Sequence, residues 1–197
     1  MADRIAEISR QTRETKIQLS INLDGTGKVS ASTGVGFFDH MLDLLGRHSL
    51  IDLNVTAEGD LHVDAHHTVE DVGIVLGQAI VQALDDKKGI YRYGWAIVPM
   101  DESLAQVAID LSGRPAFVWN VNFPGETIGI FPVELVNEFL KAFATSAMCN
   151  YHVTVPYGAN NHHVAEAIFK ATAKALRQAV TVDARAADRV PSTKGTL

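Results

Sequence analysis

Two stretches of the chain carry the same three reactive side chains at the same spacing. Residues 64–71 read DAHHTVED and residues 160–167 read NNHHVAEA, each an adjacent histidine pair with a glutamate three positions after the second. Imidazole nitrogens and carboxylate oxygens are the donors that hold borderline and hard divalent cations. On a helix, positions three and four apart share a face, so Glu70 and Glu166 can each stand beside either histidine of their own triplet. The two adjacent histidines diverge by about 100° around the helix axis. Such a pair grips one ion poorly. It is well placed to serve two ions, or one ion of its own and one belonging to a neighbouring subunit.

The elements around the triplets repeat as well. Alternating apolar residues predict strands at Ile5–Arg10, Ile17–Leu23 and Val29–Thr33, with LDGTGK at 23–28 as a turn. Phe37, Met41, Leu44 and Leu45 recur at helical spacing in FFDHMLDLLGRH, Ile51–Ala57 alternates as a strand, and residues 66–84 return to helical spacing through Val69, Val72, Leu76, Ile80 and Leu84. The second half replays that order. Strands are expected at Tyr91–Pro99, Ala105–Leu111 and Ala116–Val121, a helix at 133–148, a strand at 151–155 and a helix at 162–180. The expected fold is α+β with two duplicated β-β-β-α-β-α halves, 1–88 and 89–197, each a four-stranded sheet with helices on one face. The duplication explains the recurring triplet, because the site is doubled with the fold.

Aligning FFDHML at 37–42 with LVNEFL at 135–140 sets Glu138 opposite His40 and adds one donor per half. The candidate ligands are therefore His40, His66, His67, Glu70, Glu138, His162, His163 and Glu166, enough for two ions with open positions. Several carboxylates and no sulfur favour manganese, iron or zinc. The other histidines have ordinary readings: His48 as an imidazolium near a helix C-terminus, His62 in a turn, His152 at a strand start.

Composition removes other classes. The sole cysteine, Cys149, excludes an internal disulfide framework and a thiolate zinc cluster. Seventeen Lys and Arg against twenty-three Asp and Glu leave a net charge of −6, a poor balance for nucleic acid. The longest apolar run, VGIVLGQAIVQAL at 72–84, is too short to span a bilayer. A charged N-terminus without an apolar signal-peptide core leads to the expectation of a cytoplasmic protein. No Walker pattern, G-x-G-x-x-G or G-x-S-x-G is present. Arg92 in GIYRYGW, Arg114 in LSGRP, and Ser192, Thr193 and Lys194 near the C-terminus could grip a phosphate.

The segments GVGFFDHML, DAHHTVEDVGIVLGQA, VPMDESLA, DLSGRP, NNHHVAEAIFKA and STKG, spread over essentially the whole chain, closely resemble the imidazoleglycerol-phosphate dehydratase family. The resemblance implies an enzyme of histidine biosynthesis, a fold of the ribosomal protein S5 domain 2-like type, and two Mn2+ per active site. It also implies a homo-oligomeric cage of twenty-four subunits with sites at subunit interfaces. By position it would give one ion His40, His67, Glu70 and His163, and the other His66, Glu138, His162 and Glu166. Some family members have histidine where this chain has Glu138. The implied reaction converts D-erythro-imidazole glycerol phosphate to imidazole acetol phosphate and water through a metal-bound imidazolate and a diazafulvene. Glu14 would be the acid/base group, with Asp101, Lys170 and Glu166 beside the substrate and Arg92, Arg114, Ser192, Thr193 and Lys194 on the phosphate. Two rival readings are a dinuclear metallohydrolase, in which the ions activate water, and a metal-storage cage without catalysis.

Overall fold

Alternation in the early chain becomes two sheets of one design. A computed structural model describes residues 3–186 and 189–197. In the first half, β1 (Ile5–Gln11), β2 (Thr15–Asn22), β3 (Val29–Ser32), α1 (Gly36–Ser49), β4 (Asp52–Gly59) and α2 (His66–Leu84) follow the expected order. In the second half come β5 (Tyr93–Met100), β6 (Ser103–Asp110), β7 (Ala116–Asn120), a small hairpin β8 (Thr127–Ile128) and β9 (Phe131–Pro132), then α3 (Glu134–Ser146), β10 (Asn150–Tyr157) and α4 (Asn161–Val180). The hairpin is the one element absent from the sequence reading. Its strands are two residues each, too short for any period to show.

The sheets have orders β1-β2-β4-β3 and β5-β6-β10-β7, so each half places its last strand between its second and third. The third strand runs parallel to the last in both halves, and the other pairs are antiparallel. Register repeats too: Leu19 faces Val55 in the first sheet and Val107 faces Val153 in the second. These residues are at most 3% exposed and point toward the helices. Burying each such side chain contributes about 1.5–3 kcal/mol.

All four helices lie between the two sheets. α2 packs on β1 and β2, α4 on β5 and β6, and across the middle α2 meets α3 while α1 meets α4. Val69, Val72, Leu76, Ile80 and Leu84, the predicted core stripe of α2, are all buried. The outer sheet faces differ. The first shows Lys16, Gln18, Asn54, Thr56 and Glu58 to solvent, and the second shows Tyr93, Trp95, Ile97 and Val118.

Candidate metal centre

Both histidine pairs stand in the first turn of a long helix, and in both a side chain two residues earlier fixes that turn. Asp64 Oδ1 accepts the backbone N–H of His66 at 2.7 Å, and Asn160 Oδ1 accepts that of His162 at 2.8 Å. Short Asx side chains suit this place because their oxygen reaches an otherwise unpaired helical N–H. Glycine precedes each turn for a steric reason. A Cβ on Gly59 would lie 2.0 Å from Thr68 Oγ1, and one on Gly158 would lie 2.5 Å from Val164 Cγ2. Asn161 adds a tie to the hairpin, accepting from Gly125 N at 2.9 Å and donating to Thr127 O at 2.9 Å.

The eight predicted ligands separate into two triads and two outliers. His40, His162 and Glu166 offer donor atoms within 4.8 Å of one another, and so do His66, Glu70 and Glu138. In the first triad both imidazole Nε2 atoms meet Glu166 Oε1, at 2.9 Å from His40 and 3.0 Å from His162. Lys170 donates to the other oxygen of Glu166 at 2.5 Å and to Met100 Sδ at 3.2 Å. Burial alone would raise the Glu166 pKa, but Lys170, His40 and His162 outweigh it and hold the carboxyl at about 2. The second triad is looser: His66 Nε2 lies 4.0 Å from Glu70 Oε2, and Lys141 Nζ lies 4.0 Å from Glu138 Oε2.

This grouping differs from the expected partition, which put His40 with Glu70 and Glu138 with Glu166. The bridge between α1 and α4 carries His40 to the second-half triplet, and the contact of α2 with α3 carries Glu138 to the first. Each extra ligand therefore joins the triplet of the opposite half.

His67 and His163 belong to neither triad. The ring centroids lie 6.0 Å apart for His66 and His67 and 6.4 Å apart for His162 and His163, and in each pair only the first histidine meets a triad. His67 Nδ1 lies 3.0 Å from Asp60 Oδ2, and His163 Nδ1 lies 2.7 Å from Glu102 Oε2. Those hydrogen bonds raise both imidazole pKa values above 6.5, and the bond from His163 pulls Glu102 down to about 2. The Nε2 atoms face other carboxylates: Glu14 Oε1 at 3.9 Å from His67, and Asp101 Oδ2 at 3.6 Å from His163. Glu14 and Asp101 occupy matching β1–β2 and β5–β6 turns. The structure thus brings Glu14, the expected acid/base group, and Asp101, expected beside the substrate, to the outward histidines. Asp60 and Glu102 escaped the sequence reading. Their signal was the matched position of the β5–β6 turn and the aspartate in the EGD turn.

The phosphate candidates gather elsewhere. Arg92 gives Nε and Nη2 to Asp110, at 2.6 and 3.0 Å, and Nη1 to Pro191 O at 2.8 Å. The chain end comes back beside the SGRP turn, where a Cβ on Gly113 would lie 2.8 Å from the Leu197 carboxyl carbon. Arg114, Thr193 and Lys194 are exposed there and Ser192 is half-buried. Arg92 N also donates to Ala179 O, near the C-terminal end of α4, whereas Glu166 is near its start. At ~1.5 Å per residue the separation within one chain is about 20 Å. His48 corrects a smaller expectation. Burial, then Lys174 and Lys170, lower its pKa, which disfavours the imidazolium.

Converging nitrogen and oxygen donors on rigid helices suit a divalent cation such as Mn2+, and the absence of thiolate disfavours soft metals. Comparison with known proteins turns that chemistry into a family. Residues 33–176 match the family model described as imidazoleglycerol-phosphate dehydratase. A protein of that name from Ruegeria sp. (strain TM1040) is 59% identical over 194 residues, covering 98% of this chain and 100% of the relative. Another from Agrobacterium fabrum is 56% identical over 197 residues, covering 100% of both chains. The crystal structure of the Staphylococcus aureus dehydratase superposes with a TM-score of 0.83 at 42% identity, covering 90% of this chain and 99% of that one. The Pyrococcus furiosus enzyme in complex with (S)-C348 gives 0.82 at 35% identity, over 96% and 100%. Full-length identity of this order leaves no room for the metallohydrolase and storage-cage readings: the chain belongs to the imidazoleglycerol-phosphate dehydratase family, hydro-lyases of histidine biosynthesis.

Proposed function

We propose that this dehydratase works on Mn2+ pairs completed between copies of the chain. One observation carries the reading. Each triad converges within one chain, while the second histidine of each HHxxE triplet, His67 or His163, lies outside it and pairs with Asp60 or Glu102. His67 of one copy would complete the His40, His162 and Glu166 triad of another, and His163 would complete the His66, Glu70 and Glu138 triad. The ~20 Å gap between triad and phosphate candidates supports the same conclusion, since a substrate of this size cannot bridge it within one subunit. The exposed apolar row of Tyr93, Trp95 and Ile97 along β5 supports a homo-oligomer, because contiguous exposed apolar side chains mark association surfaces.

When bound, the ions would act as Lewis acids toward the imidazole nitrogens of imidazole glycerol phosphate. The chain does the rest. Carboxylates at Glu14 and Asp101, which lie beside the outward histidines, would take the proton from the carbon that becomes the ketone and protonate the departing hydroxyl. Lys170 keeps Glu166 ionised and so able to bind a cation. Arg114, Ser192, Thr193 and Lys194 would receive the phosphate. Arg92, anchored on Asp110, would hold the tail through Pro191 and add positive charge.

Subunit mixing tests this. His67→Ala and His162→Ala homo-oligomers should each lose turnover and Mn2+. Dissociated together and reassembled, they should recover a measurable fraction of both, because mixed interfaces contain intact sites. No recovery from well-formed mixed oligomers would sink the shared-site reading.

A further inference from the structure

Among the predicted histidine ligands, the two with a carboxylate on Nδ1 are the two that leave their own triad. His40 and His162 meet Glu166 through Nε2. His67 and His163 instead rest Nδ1 on Asp60 and Glu102. We propose that Glu102, with Asp60 as its first-half counterpart, is a positioning residue that fixes the imidazole tautomer so that Nε2 presents a lone pair to a metal outside the chain's own triad. The proposal rests on the shared metal site described above.

Glu102 is wired for this role. Its Oε1 accepts Ala159 N at 3.1 Å, Asn160 N at 3.0 Å and Ser103 Oγ at 3.0 Å. An oxygen facing three donors can only accept. The remaining oxygen, Oε2, then takes the proton on His163 Nδ1 at 2.7 Å, which leaves Nε2 of the neutral ring unprotonated. The same carboxylate ties the β5–β6 turn to the residues entering α4, so position and tautomer are set together. Asp60 achieves the equivalent result from the other side. Its backbone N–H donates to Glu14 O at 3.1 Å, and both carboxylate oxygens approach His67 Nδ1, at 3.2 and 3.0 Å. A triad histidine is steered by its neighbours. One reaching for another subunit lacks them, and a carboxylate behind it supplies the missing orientation.

Glu102→Gln separates tautomer from structure. The amide oxygen must stay at the Oε1 position to accept the two backbone N–H groups, so the amide NH2 falls opposite His163 Nδ1. It can only donate there, which forces the proton onto Nε2 and removes the ligand. An Asp→Asn exchange under the histidine of a serine protease lowers kcat by about 10⁴ through the same error. In the metal-free protein, at a pH above the raised imidazole value where the ring is neutral, 15N spectra of labelled histidine should show one ring changing from the Nδ1–H to the Nε2–H form, with the melting temperature unchanged. Mn2+ titration should show one of two ions bound about 10–100-fold more weakly. Asp60→Asn should weaken the other ion, and Glu102→Asp should retain the wild-type tautomer. An unchanged ring in the metal-free Glu102→Gln protein, or two ions held at wild-type affinity, would overturn the proposal. A wild-type protein that takes up no Mn2+ would defeat the metal reading instead, while the metal-free spectra still decide the tautomer.

Discussion

The two halves share strand order, register and helix start, yet their ligand triads are not alike. In the triad built on α4, His40 and His162 close on Glu166 within 3.0 Å, and Lys170 balances the carboxylate. In the triad built on α2, His66 stands 4.0 Å from Glu70, and two carboxylates accompany one imidazole. Two exchanges, Glu138 at the place matching His40 and Ile74 at the place matching Lys170, separate a nearly neutral, self-bonded cluster from an open anionic one. Duplication copied the scaffold, and charge at two positions then gave the copies different chemistry.

The comparison breaks most completely at Glu166. Glu166→Ala should remove Mn2+ from the closed triad and lower kcat at least about 10³-fold, as loss of a metal ligand at a reacting centre does. Equal metal content in variant and wild type would contradict it. Acid should separate the halves next. With a folded pKa of about 2 against an ordinary 4.5, ionised Glu166 stabilises the metal-free protein above pH 4.5, and that stability drains as pH falls from 4.5 toward 2. Up to about 3 kcal/mol is involved. Thermal melts across that range should show a shallower slope for Glu166→Gln than for wild type, and parallel curves would refute the assignment.

Helix packing offers a smaller contrast. Gly77 on α2 and Ala173 on α4 hold equivalent places. A Cβ on Gly77 would meet Ala147 N at 2.6 Å and Phe143 O at 2.7 Å, whereas α4 buries an alanine methyl. Gly77→Ala should cost about 1–3 kcal/mol in denaturant unfolding, and Ala173→Gly only about 1 kcal/mol. The reverse ranking would show that the two helix contacts are not built alike. Glu138→His should have the smallest effect. It makes the open triad resemble the closed one, so competition titrations should shift it about tenfold from Mn2+ toward Zn2+. An unchanged preference would mean that the remaining ligands set selectivity.

Much of this was written in the spacing. Period-two and helical patterns placed every strand and helix except β8 and β9, because long regular elements repeat their pattern several times. The doubled HHxxE triplets gave six of the eight candidate ligands and their divergence. How the eight donors divide was not legible, because whether His40 faces α2 or α4 depends on which helices meet across the middle layer. Asp60 and Glu102 were hidden for a related reason. Glu102 is 61 positions from the histidine it supports, and carboxylates in turns look alike until the chain folds. His48 was misjudged because helix position alone ignores its burial and then Lys174 and Lys170 on a packed neighbour.

The Asx residues before the two helices have one more consequence. Asp64 and Asn160 satisfy helix-start N–H groups with the chain's own oxygens, so α2 and α4 can begin without a cation. Any metal bound there would arrive as cargo at a finished dock: chelation should strip it and leave the helical signal intact, unlike small domains that unravel once their zinc is withdrawn.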